Sequence, residues 1–106
     1  MGGAIRRKAK IDVNQPQIVE AFREMGFEVE ITSAYSAVGF DCIIGLRGRP
    51  GSLRMVEIKD GLKPKSQRTL TENEQIAKER WAGNYEVVVS VMDTIALGSI
   101  LRKEYL

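Results

Sequence analysis

Three consecutive segments carry the fold: Phe40-Asp41-Cys42-Ile43-Ile44-Gly45-Leu46, Arg47-Gly48-Arg49-Pro50-Gly51-Ser52, and Leu53-Arg54-Met55-Val56-Glu57-Ile58-Lys59-Asp60. The first is a mostly apolar run with β-branched residues, the pattern of a buried strand. The second is marked as a turn by its Gly and Pro. The third is a further strand, so residues 40–60 read as a β-hairpin. Upstream, Phe27-Glu28-Val29-Glu30-Ile31-Thr32 alternates apolar and polar residues and predicts a half-buried strand. Residues 33–39 are a small-residue loop.

A helix over about residues 15–25 precedes that strand. Asn14 is its expected N-cap, with Gln17 as capping-box partner, Pro16 in the first turn and Gly26 as the stop. Ile18, Ala21, Phe22 and Met25 follow the spacing of one buried helical face. Downstream, residues 61–70 are polar and basic and predict a loop. Thr71 and Glu74 form a second capping-box pattern, opening a helix over about 72–82 with Ile76, Ala77 and Trp81 on its buried side. A valine-rich strand is expected at 85–91, then a last helix capped by Asp93 and running to about 103, with Gly98 weakening it.

The order is therefore αβββαβα in one domain of 106 residues, with residues 1–12 as a flexible basic arm. Such an order predicts an α/β (α+β) fold, a mixed central sheet with helices on its faces. The strand after the second helix is expected to lie parallel to the hairpin's second strand, reached by a right-handed crossover.

Composition narrows the chemistry. The chain has no His and one Cys. Catalytic triads with a His base, His-ligated zinc and Cys-based zinc clusters are excluded, as is an intramolecular disulfide. Any catalysis must rest on carboxylates, Lys, Arg, Tyr, hydroxyls or a hard metal. No apolar run approaches the ~20 residues that span a bilayer, and no secretory signal is evident, so the expected location is cytoplasmic. The net charge of +2 is small. Its distribution is more telling: Arg6, Arg7, Lys8 and Lys10 cluster, Arg47, Arg49 and Arg54 surround the hairpin turn, and Lys59, Lys63, Lys65 and Arg68 share one stretch. That segregation fits a basic, phosphate-binding face, and equally a set of solvated surface charges.

One constellation stands out. Glu57 and Lys59 are two apart on a strand, so their side chains share a face, and the hairpin brings Asp41 beside them. Two neighbouring carboxylates favour a divalent cation between them, and oxygen donors suit Mg²⁺ or Mn²⁺. The Ile58 backbone carbonyl lies between Glu57 and Lys59 as a further possible ligand. Taken alone, a Glu-x-Lys tripeptide is an ordinary cross-strand ion pair; what adds weight is its order and spacing with Asp41 and the flanking helices.

Gly39-Phe40-Asp41-Cys42-Ile43-Ile44-Gly45, a turn, then Met55-Val56-Glu57-Ile58-Lys59-Asp60-Gly61 resembles the PD-(D/E)XK nuclease signature. The branch it is most similar to is the stand-alone VRR-NUC nucleases, akin to phage-type and archaeal-type Holliday junction resolvases. Asp12-Val13-Asn14-Gln15, Ile18-Val19, Gly26, Val29, Lys63-Pro64 and Leu70-Thr71 with Glu74 extend the match over about residues 12–91. The resemblance implies a restriction-endonuclease-like αβββαβ core with an extra C-terminal helix. It also implies Mg²⁺-dependent phosphodiester hydrolysis, with Mn²⁺ able to substitute. Asp41 and Glu57 are the implied metal ligands, and Lys59 is implied to hold the attacking water. Relatives often carry an acidic residue on the first helix; the corresponding residue here is Gln15, expected to contribute a weaker, water-mediated contact. Glu20 lies on the opposite helical face and reads as solvated surface. Phe40 replaces the usual Pro before the aspartate. Gln75 matches a Gln or Lys that relatives place on the helix after the Glu-x-Lys strand, and reads equally as a polar helix surface. Ser66 and Arg68 are either phosphate contacts or solvated loop.

The expected function is a DNA endonuclease selective for branched DNA such as four-way junctions. Arg6, Arg7, Lys8, Lys10, Arg47, Arg49, Lys63 and Lys65 are its expected phosphate contacts. Cutting two strands symmetrically calls for a homodimer, with strand 85–91 and Ile95, Leu97, Ile100 and Leu101 as either dimer surface or ordinary core. The alternatives are a non-catalytic nucleic-acid-binding module on the same fold and a protein-interaction domain. Cys42 reads as a buried apolar filler, Trp81 as a core or interface anchor, and Gly45 as a site of close packing or a bulge.

Overall fold

A computed structural model describes residues 13–106. The basic arm with Arg6, Arg7, Lys8 and Lys10, and Asp12 of the family match, lie outside the described residues. The elements are α1 (Gln15–Glu24), β1 (Glu28–Ile31), β2 (Cys42–Leu46), β3 (Arg49–Ile58), α2 (Glu72–Arg80), β4 (Tyr85–Val88) and α3 (Val91–Tyr105), with short 3-10 turns at Ser36–Val38 and Lys65–Gln67. They form a mixed α+β fold: a four-stranded sheet in the order β1-β2-β3-β4, and three α-helices. β1, β2 and β3 run antiparallel to their neighbours, and β4 joins β3 in parallel as expected.

Alternation along β2 and β3 sorts their side chains between two faces. Cys42, Ile44, Val56 and Ile58 pack with Val88 of β4 against Ile18 and Phe22 of α1 and Leu101 of α3. Ile43 and Met55 pack on the opposite face with Phe40, Tyr85 and Ala77 of α2. Asp41 and Glu57 have the parity of this second face, which decides where the site lies.

The boundaries depart from expectation where side chains compete with local signals. Asn14 does not cap α1: it is itself helical in conformation, and its amide donates to the Lys59 and Val89 carbonyls, each at 3.2 Å. Donating Nδ2 to two strand-end carbonyls sets the side chain in an orientation in which Oδ1 accepts no N–H of the helix. The buried face of α1 is Gln15, Ile18, Val19 and Phe22, with Val19 taking the place expected of Ala21. β3 begins at Arg49, so the turn is the two residues Arg47 and Gly48, the latter at φ +76°. Pro50 is tolerated because the β2–β3 register shifts between Ile44 and Leu46. At that bulge the fully buried Ser52 hydroxyl accepts the Leu46 N–H at 2.8 Å and donates to the Arg49 carbonyl at 2.6 Å. The side chain thus supplies bonds that the ladder lacks there.

Helix α2 shows the predicted Thr71–Glu74 capping box but buries only Ala77; Ile76 and Trp81 are exposed. Its approach to the sheet is narrow, over Gly39, where a Cβ would lie 2.6 Å from the Asn73 carbonyl oxygen and 2.7 Å from the Ala77 Cβ. Ser90, not Asp93, caps α3: its hydroxyl accepts the Asp93 N–H, while the Asp93 carboxylate accepts the Val89 N–H. Gly98 is buried within α3, where a Cβ would meet Met25 at 2.6 Å, so its helix-weakening composition serves close packing on α1. No helix among the described residues is long and apolar enough to cross a membrane.

Candidate functional site

The β2–β3 register ends at the pair Cys42 and Val56; Asp41 comes one residue before Cys42, Glu57 one residue after Val56, and the Asp41 N–H donates to the Val56 carbonyl at 2.9 Å. Both acids therefore stand on the face that carries α2. The Asp41 carboxylate accepts the Ile58 backbone N–H at 2.7 Å through Oδ2, which fixes it against the end of β3. Asp41 is near enough for its charge to act on the Glu57 carboxyl.

Lys59 follows the last residue of β3 and keeps the side-chain parity of Glu57. Its Nζ is 3.5 Å from Glu57 Oε2. It is closer to the helix-capping Glu74, whose Oε1 lies at 2.8 Å. That same oxygen accepts the Thr71 N–H at 2.9 Å. Glu74 sits on the first turn of α2, which the close approach over Gly39 holds against this face. The helix residue that enters the site is thus Glu74 and not Gln75, which is exposed and reaches Glu79 at 3.4 Å.

Electrostatics follow from two acids on one ammonium, with Asp41 acting on Glu57. Burial, reinforced by the charges of Asp41 and Glu74, pushes the Glu57 carboxyl up to about 9. Burial works against the Lys59 ammonium, but its bond to Glu74 and the Glu57 charge outweigh it and hold the lysine pKa above the ordinary value. Glu74 goes the other way: burial is overcome by its bonds to Lys59 and Thr71, and its carboxyl lies below the usual range. Cys42, on the opposite face, has its thiol pushed up to about 12, chiefly by burial, and is the inert filler expected.

Gln15 is buried at the start of α1. Its Nε2 donates to Ser33 Oγ at 3.0 Å, and its Oε1 is a buried acceptor with no hydrogen-bond partner among the described residues. Asn14 beside it bonds to the Lys59 carbonyl, so the first turn of α1 is tied both to the end of β3 and to the segment after β1. The Asn14 Oδ1 is likewise buried and unpartnered.

The basic residues divide. Lys63, Lys65, Ser66 and Arg68 lie on the loop that leaves Lys59; Lys65 and Ser66 are exposed, Lys63 and Arg68 half-buried. Arg47 and Arg49 lie at the far end of the hairpin, roughly 25 Å away at the rise of an extended strand. There Arg47 pairs with Glu28 at 2.7 Å, Arg49 donates to the Tyr105 carbonyl at 2.8 Å, and Arg54 bonds the Gly51 and Leu53 carbonyls. The hairpin-turn arginines are therefore not gathered around the acids.

The donor set can be tested for a divalent ion. Among the described residues no group of three or more His, Cys, Asp or Glu side chains is arranged to hold a metal. Asp41 and Glu57 supply two hard carboxylates, and with the Ile58 carbonyl they leave most positions of an octahedral ion to water. This suits Mg²⁺, which keeps several waters and binds through one or two carboxylates. Burial first, then the charges of Asp41 and Glu74, disfavours an ionised Glu57, and a nearby cation would favour it. In donor chemistry alone, two carboxylates are of the class that Mg²⁺ or Mn²⁺ takes. Compared with models of protein families, with curated proteins and with solved structures, the chain finds no match.

Proposed function

We propose that the protein is a metal-dependent DNA endonuclease of the PD-(D/E)XK type, acting on branched DNA such as four-way junctions. The observation that carries this reading is the nearness of Asp41 and Glu57 at adjoining strand ends, with the Lys59 ammonium 3.5 Å from the Glu57 carboxylate. The αβββαβ order, with its parallel β3–β4 crossover, supports it.

Asp41, Glu57 and the Ile58 carbonyl would hold the ion. When bound, Mg²⁺ supplies Lewis acidity at the scissile phosphate. The Ile58 N–H keeps the Asp41 carboxylate oriented at no cost in side-chain disorder during the reaction. Lys59 presents a fixed positive charge and N–H donors to the phosphate, where negative charge builds up as the bond to the leaving oxygen breaks. Lys63, Lys65, Ser66 and Arg68 flank it on one continuous loop and position the backbone of the nucleic acid. Cutting both strands of a junction uses two copies of the site, hence a homodimer. Met92, Ile95 and Ile100 on the outer side of α3 are exposed and offer its surface, whereas Leu97 and Leu101 turn into the core.

The test is cleavage of supercoiled plasmid and of synthetic four-way junctions, in Mg²⁺ and in EDTA, by wild type, Asp41→Asn and Glu57→Gln. Cleavage by wild type in Mg²⁺ alone supports the reading; equal cleavage by Glu57→Gln refutes it. One observation favours a binding module instead. Gln15, at the place of the relatives' acid, is neutral, and its Nε2 is committed to Ser33. On that reading, junction DNA is retained in a gel shift that weakens with salt, and no condition gives cleavage.

A further inference from the structure

Glu74 meets Lys59 more closely than Glu57 does. Its Oε1 takes two donors of different origin: the Thr71 N–H at 2.9 Å, from its own helix, and the Lys59 Nζ at 2.8 Å, from the end of β3. Lysine carries a flexible four-carbon stem, and a charge on such a stem must be held if it is to act at one atom. Here the stem is buried, with 12% of the side chain exposed, and its ammonium lies between two carboxylates on different elements. Glu57 alone leaves a contact of 3.5 Å, long for a charge-assisted hydrogen bond; Glu74 provides the short one.

The carboxylate is itself braced. The Thr71 backbone N–H, donating to Oε1 at 2.9 Å, fixes it from the helix side. The helix carrying it approaches the sheet over Gly39, two residues before Asp41. We infer that Glu74 is a positioning residue that holds the Lys59 ammonium in register with the Asp41–Glu57 pair, so that α2 serves as the rear support of the site. This inference rests on the nuclease reading for its catalytic consequence, and on geometry alone for the hold on Lys59.

Two variants of the full chain separate that role from helix capping. Glu74→Gln keeps an acceptor for the Thr71 N–H, because Gln serves in a capping box as Glu does, but removes the charge from Lys59. Thr71→Ala removes the hydroxyl cap and leaves the backbone N–H and the Glu74–Lys59 pair in place. Steady-state cleavage of a four-way junction in Mg²⁺ is expected to show kcat lowered about 10- to 100-fold in Glu74→Gln, with KM unchanged. Thr71→Ala is expected to melt lower while keeping kcat near wild type. A wild-type kcat in Glu74→Gln overturns the inference. So does a loss of kcat that Thr71→Ala reproduces. A second measurement needs neither metal nor DNA: the rate of amine acylation at Lys59, read by mass spectrometry against exposed Lys65 and Lys78. Lys59 should be protected in wild type and in Thr71→Ala, and label several-fold faster in Glu74→Gln. Equal labelling in all three proteins overturns the hold on Lys59. If wild type cleaves nothing, the nuclease reading and the catalytic consequence both fall, and labelling alone decides whether Glu74 holds the lysine.

Discussion

Replacing Gly39 with alanine should destabilise the protein by more than its backbone conformation alone accounts for. Gly39 has φ +88°, and a Cβ there would lie 2.6 Å from the Asn73 carbonyl oxygen and 2.7 Å from the Ala77 Cβ. The left-handed conformation costs an L-residue about 1–2 kcal/mol. The collision adds a second cost, since the nearest atom is helix backbone that cannot rotate away; overpacking of this kind costs about 1–3 kcal/mol. Gly48→Ala is the matched control, with φ +76° and nothing within 4 Å of its would-be Cβ. Urea denaturation of the two variants should therefore differ by about 1–3 kcal/mol, with Gly39→Ala the weaker, and its melting temperature should fall further by at least about 4 °C. The excess measures how closely α2 is pressed to the sheet. Equal destabilisation of the two variants would refute the close approach over Gly39, and with it the account of how Glu74 is brought to Lys59.

Three further outcomes follow from individual groups. Ser52→Ala leaves the Leu46 N–H and the Arg49 carbonyl without the buried hydroxyl that serves both, and should cost about 1–3 kcal/mol in urea denaturation. The Glu57 carboxyl is raised to about 9 in the folded chain from an ordinary value of 4.5, so the folded state binds a proton that the unfolded chain has lost. Its contribution to stability is complete below about pH 4.5 and is lost as pH rises through 9; the fall in stability between pH 5 and pH 9 should be shallower in Glu57→Gln, and an identical slope would contradict the assignment. Mg²⁺ should stabilise wild type by about 2.7 kcal/mol at a hundredfold excess over its dissociation constant, read as a melting temperature that rises with its concentration, and leave Asp41→Asn unmoved.

Much of the site was readable from local order. Asp41 and Glu57 share a face because hairpin pairing and strand alternation are both written in the sequence, and the capping box of Thr71 and Glu74 spans three residues. What escaped were the second partners of residues already given a local role. Glu74 was accounted for once its cap was seen, and nothing along the chain shows that Lys59 also reaches its carboxylate. Asn14 carries every mark of a helix cap, yet two strand-end carbonyls distant in sequence take its amide. The run Arg49-Pro50-Gly51-Ser52 reads as a loop by composition; it is strand because Ser52 supplies bonds at a bulge that only the folded hairpin creates. Ile76 and Trp81 were assigned inward by hydrophobicity, but α2 touches the sheet along a line as narrow as Gly39 and Ala77 allow, and both stay outside.

β3 pairs antiparallel with β2 and parallel with β4, and this sets an order of assembly. Its first partner is two residues away through Arg47 and Gly48, whereas its second returns only after the connection over residues 59–84. Closing the longer loop costs about 2 kcal/mol more in chain entropy. The half of the site made by Asp41 and Glu57 therefore belongs to an early, self-contained hairpin. The half made by Lys59 and Glu74 arrives with the late crossover. In pulsed hydrogen exchange, amides shared by β2 and β3 should gain protection before those shared by β3 and β4; simultaneous protection would show that the chain closes in one step instead.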